Sequence, residues 1–74
     1  MMEFEKIRDI IVEQFGVDED SVALDTAFKD LGDSMDLIEL IMSLEEEFDL
    51  EIADEDVDEI KTVNDAVEYI KSNS

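Results

Sequence analysis

The chain has no cysteine, no histidine and no proline, and only two glycines among its 74 residues. Without cysteine no disulfide can form, and any thiol chemistry must come from a group added to the protein. Without histidine, the commonest general base and the commonest metal ligand are both missing. The scarcity of proline and glycine leaves few helix breakers. Bases are scarce too: five lysines and arginines stand against 24 aspartates and glutamates, a formal net charge of -19. Nucleic acid is a poor partner for such a surface, because phosphate contacts need lysine and arginine. Anionic membranes would repel it. No apolar run approaches membrane-spanning length, and no basic stretch leads into an apolar one as in a signal peptide. A cytoplasmic setting is the default expectation.

What is present is patterned. Hydrophobic residues make up 45% of the chain, which argues against disorder despite the charge. The acidity reads instead as solubility and as steering toward basic protein surfaces. One domain, residues 1–74, is expected, with the thin stability margin of a small core.

Phe4, Ile7, Ile11 and Phe15, with Ile10 beside them, recur at helical spacing, so a first helix is expected from about Glu3 to Phe15. Gly16 fits the position just past its end. Val17 to Asp33 has no sustained period. Val22, Leu24, Phe28 and Leu31 could pin it to a core, with a short turn of helix around Thr26 to Leu31. A connection this long in a small domain is often functional or specially packed. A second helix should run from about Ser34 to Phe48, capped by Asp33 or Ser34 and favoured by Asp36 in its first turn. Asp54 to Ile60 reads as a short helix anchored by Ile52, Val57 and Ile60. Thr62 and Asp65 resemble a capping box, and Val63, Ala66, Val67 and Ile70 carry a last helix to about Ser72, before a tail that should fray. The expected fold is all-α: a small four-helix bundle with three principal helices, one short third helix and a long loop between helices one and two.

The second helix is too apolar for a simple surface helix. Leu37, Leu40, Ile41, Leu44 and Phe48 form a core stripe, while Met35, Ile38 and Met42 form a second one centred about 130° away. Glu39 and Glu46 flank the second stripe, and Glu45 lies between the two. Either this helix is buried nearly all round, or it shows solvent an acid-fringed apolar strip. The latter would suit a partner surface basic at its rim and apolar at its centre. Methionine would let such a strip meet several partners.

Within "DLGDSMDLIEL", Ser34 stands between Asp33 and Asp36. As a nucleophile it has no histidine to activate it, and neighbouring aspartates oppose an alkoxide. As a helix cap it is plausible. As an attachment site it would sit where a helix N-terminus, with its partial positive charge and free N–H groups, tolerates a phosphate. A further acidic stretch, "DEDVD", spaces Asp54, Asp56 and Asp58 like calcium-loop ligands. Glu59 then stands where that loop needs glycine, so no specific metal site is expected.

The segment "LGDSMDLIELIMSLEEEFDLEI" resembles the centre of acyl carrier proteins. There, an aspartate–serine–leucine or –methionine step leads to aspartate, then glutamate–leucine, then an acidic run ending in phenylalanine–aspartate. The resemblance extends through "DEDVDEIKTVNDAVEYI". It implies that Ser34 carries covalent 4′-phosphopantetheine, transferred from coenzyme A by a phosphopantetheinyl transferase (holo-acyl carrier protein synthase) that uses a divalent cation. Acyl groups would ride on it as thioesters to fatty acid synthesis enzymes, the chain itself being no enzyme and a monomer. The resemblance assigns partner contacts to Asp33, Met35, Asp36, Ile38, Glu39, Met42, Glu45 and Glu46, and more loosely to Asp54 and Asp58. Leu40, Leu44, Phe48, Ile52, Ile60, Ala66 and Tyr69 match positions around the acyl-chain cavity. Two departures stand out. Many members have one more residue between the glycine and aspartate of "LGDS", and often a proline where Ala53 stands. A carrier of D-alanyl, aminoacyl or polyketide groups, or a non-covalent acidic interaction module, are the alternatives.

Overall fold

The computed structural model describes residues 2–73. Four helices follow one another: α1 (Met2–Phe15), α2 (Ser34–Phe48), α3 (Asp54–Val57) and α4 (Val63–Ser72). No strand occurs among the described residues, only one isolated antiparallel bridge between Ala27 and Thr62. Helix α1 packs against both α2 and α4. Residues four apart meet on one helix face, and the core is built from such pairs: Ile7 and Ile11 of α1, Leu40 and Leu44 of α2, Val63 and Val67 of α4, all fully buried. Each such side chain contributes about 1.5–3 kcal/mol by leaving water.

The helix ends follow from local chemistry. Gly16 takes φ 68°, and its N–H donates to the Val12 carbonyl, closing α1 in the left-handed conformation glycine adopts freely. Thr62 and Asp65 form the capping box expected at α4: the Asp65 N–H donates to Thr62 Oγ1 at 3.2 Å and the Thr62 N–H to Asp65 Oδ2 at 3.1 Å. In the expected loose tail, the Asn73 side-chain amide donates to the Tyr69 carbonyl at 2.8 Å, while Ser74 lies outside the described residues. Helix α2 ends at Asp49, whose φ of 52° is the left-handed conformation tolerated by aspartate.

Two expectations need correction, the end of the third helix and Leu24 as a core anchor. The short third helix stops at Val57 rather than Ile60, because the chain must turn there to pair with the segment before α2. In the long connection, the turn of helix is a 3-10 turn over Phe28–Asp30, preceded by another over Glu19–Ser21. Val22 and Phe28 are buried as anchors, but Leu24 is exposed; its carbonyl accepts the Asn64 N–H at 2.8 Å instead. The Phe28 N–H donates to the Lys61 carbonyl at 2.9 Å and the Val63 N–H to that of Thr26 at 3.0 Å. The long loop is therefore stitched by its backbone to the start of α4, which satisfies groups that would otherwise be left without partners.

Candidate functional site

Ser34 is the first residue of α2, and Asp33 is the cap. Asp33 Oδ1 accepts the Met35 and Asp36 N–H groups, each at 3.1 Å, and Asp36 Oδ2 accepts the Asp33 N–H at 3.2 Å. The two aspartates around the serine thus form a reciprocal capping box, which decides between the two cap candidates. Ser34 is exposed, and its hydroxyl makes no hydrogen bond among the described residues. The N–H groups expected to be free for a phosphate are partly taken by Asp33, so the helix end offers an anion mainly its dipole.

The tight step from Gly32 to Ser34 works because residue 32 has no side chain. A Cβ there would lie 2.5 Å from Asp36 Oδ2 and 2.7 Å from Phe15 Cε1. Glycine is needed for room and not for its φ, which is not positive. Gln14, a residue the sequence did not single out, reaches across from α1: its amide donates to the Asp36 carbonyl at 2.8 Å and fixes the first turn of α2 to α1. Its only signal was a polar residue beside the core stripe of α1.

The two stripes of α2 separate as expected for an exposed strip, and the alternative of an all-round buried helix does not hold. Leu40, Ile41 and Leu44 are buried, whereas Met35, Ile38 and Met42 are 71%, 56% and 59% exposed. Three large apolar side chains thus face solvent along one strip of α2. Around them Asp33, Glu39 and Glu46 are exposed, as are Asp54 and Asp58 at α3. Asp36 and Glu45 differ: both are half-buried and hold backbone N–H groups, Glu45 Oε2 accepting that of Ile52 at 2.8 Å.

A cavity of about 590 Å³ opens between the long loop, α2 and the end of α3. Ala27, Phe28, Leu37, Val57 and Ile60 form its apolar walls, with exposed Lys29, Asp58 and Lys61 completing it. Of the seven residues matched to an acyl cavity, Ile60 lies on this wall. Ile52 lines a smaller cavity of about 380 Å³ with Ile38, Ile41, Met42 and Val57. Leu40, Leu44 and Ala66 are packed in the closed core, and Phe48 and Tyr69 are half-buried beside it. Leu37, three residues past Ser34, was legible only as a member of the core stripe. Phe28 and Val57 reach the cavity only through tertiary packing. Val57 lies on both cavities, so α3 forms the partition between them. Tyr69 ties that short helix down by donating its O–H to Asp56 Oδ2 at 2.9 Å, and this bond, with partial burial and the Asp56 charge, raises the phenol pKa above its ordinary value.

An exposed serine opening a capped helix, an acid-fringed apolar strip and an apolar cavity one turn away define a carrier domain. The chain matches the family described as "Phosphopantetheine attachment site" over residues 5–70 and belongs to it; the group such domains take covalently is 4′-phosphopantetheine. Among solved structures it is similar to the acyl carrier protein from Enterococcus faecalis, with 41% identity and a TM-score of 0.83. The match covers 99% of this chain and 95% of that one. The fold is that of an acyl carrier protein.

Proposed function

We propose that Ser34 is the residue that takes 4′-phosphopantetheine and that the protein carries acyl groups for the enzymes of fatty acid synthesis. When bound, the group supplies the thiol on which acyl groups are held as thioesters, chemistry a chain without cysteine lacks. The observation that carries this reading is the exposed, unbonded Ser34 hydroxyl at the first position of α2. Its flanking carboxylates turn onto backbone N–H groups, so they neither bond the hydroxyl nor block it. The positive end of the helix favours a phosphodiester there. Ser34 needs no activating base in this chain, because the transferase supplies the chemistry.

The chain's other residues dock and shelter. Asp33, Glu39 and Glu46 steer basic enzymes toward α2, and Met35, Ile38 and Met42 give them apolar contact. The cavity walls of Phe28, Leu37, Val57 and Ile60 suit an aliphatic chain, each buried methylene contributing about 0.8 kcal/mol. No catalytic step is assigned to the protein.

Incubation with coenzyme A, a divalent cation and a phosphopantetheinyl transferase tests the assignment by intact mass. Wild type should gain one phosphopantetheine and Ser34→Ala none. A wild type left unmodified under conditions that load a control carrier refutes the reading. Assays of the loaded protein with fatty acid synthesis enzymes separate it from a D-alanyl, aminoacyl or polyketide carrier.

A further inference from the structure

We infer that Lys29 and Lys61 are positioning residues for the phosphodiester of the prosthetic group, drawing the arm across the mouth of the cavity; this rests on Ser34 as its attachment point. Five bases face 24 acids in this chain, so a base without a carboxylate partner is the exception to be explained. Lys6 pairs with Glu47 at 3.7 Å and Arg8 with Asp9 at 3.6 Å. Lys29 and Lys61 make no ion pair among the described residues, and Asp58, which shares their cavity, approaches neither within 4.0 Å.

The fold sets these two lysines together although they are distant in sequence. The Ala27–Thr62 bridge and the bond from the Phe28 N–H to the Lys61 carbonyl place residues 29 and 61 on adjoining segments. Both line the cavity that Leu37, one helical turn beyond Ser34, also lines. A phosphodiester on Ser34 would have Asp33 and Asp36 as its nearest charged neighbours along the chain. The α2 N–H groups that could offset them are partly taken by Asp33. Lysine, a mobile point charge on a long stem, suits a phosphate that must stay partly solvated. Like-charge repulsion would otherwise turn the arm away from the protein and its cavity.

The test compares wild type with the double variants Lys29→Gln/Lys61→Gln and Lys29→Arg/Lys61→Arg, each loaded and confirmed by intact mass. Phosphorus NMR of the loaded forms at low salt, and melting temperatures of apo and loaded forms, are read. The phosphodiester resonance should move in the glutamine variant and return in the arginine variant. The loaded-minus-apo melting difference should fall in the glutamine variant alone. A merely structural role of the lysines would shift apo and loaded melting together and leave the resonance in place. That result, on protein shown by mass to be loaded, overturns the inference while Ser34 stands. A wild type that gains no mass overturns both. Should the double variant fail to fold, Lys29→Gln and Lys61→Gln are read singly by the same criteria.

Discussion

Gly32→Ala is the sharpest probe of how the attachment serine is presented. The new methyl would fall 2.5 Å from Asp36 Oδ2, 2.7 Å from Phe15 Cε1 and 3.0 Å from Asp36 Cβ. The carboxylate cannot swing aside without giving up the Asp33 N–H, and the Phe15 ring is packed against the core. Overpacking of this kind costs about 1–3 kcal/mol. Alanine at a position with ordinary φ returns about 0.4–1 kcal/mol by restricting the unfolded chain. Taken at the middle of each range, the net destabilisation is about 1.3 kcal/mol. For a domain of this size that lowers the melting temperature by roughly 5–10 °C. Circular dichroism melts at fixed salt measure it, and the Asp33 amide resonance reports whether the capping box has opened. A double-mutant cycle isolates the cause: in an Asp36→Ala background the carboxylate obstacle is gone, so Gly32→Ala should cost less. A melting temperature that stays put or rises in Gly32→Ala refutes the steric argument. Strict additivity with Asp36→Ala would show that Asp36 is not the obstacle.

The exposed strip and the core stripe of α2 should part company under mutation. Leu40→Ala should cost about 2–5 kcal/mol in denaturant melts, whereas Met42→Ser should stay within about 0.5 kcal/mol yet slow acyl transfer by partner enzymes; a Met42→Ser protein with unchanged transfer kinetics counts against the docking strip. Tyr69→Phe removes the bond to Asp56 and should melt below wild type at neutral pH. Because the folded phenol pKa is raised above 10.0, that advantage is complete below pH 10 and disappears as pH rises through the folded value; a gap constant into strong alkali would refute it. With a net charge of -19, the melting temperature should rise with added sodium chloride or magnesium near neutral pH, and indifference to ionic strength would count against self-repulsion as a main term.

Apolar periodicity made α1, α2 and α4 legible to within a residue or two, because one face of each must leave water. The capping box of α4 was legible for a similar reason: Thr62 and Asp65 act on backbone only three residues away. The sequence alone also determined the charge, the absence of any thiol, and the pairing of an exposed serine motif with an apolar second stripe. Local chemistry left two choices open at α2. Asp33 and Ser34 were equal caps by residue type, and the stripe of Met35, Ile38 and Met42 could have faced a neighbour or water. The reciprocal bonds of Asp33 and Asp36 settled the cap, while only tertiary packing decided the stripe: α1 and the Phe28–Asp30 turn pack against α2, and Met35, Ile38 and Met42 on its other side stay exposed. The cavity was beyond the sequence for the same reason. Phe28, Leu37, Val57 and Ile60 come from three separate segments, and no periodicity along the chain encodes a contact between them. The same packing brings Lys29 and Lys61 to one cavity, because the backbone bridge between their segments closes only when the long loop lies down on the start of α4.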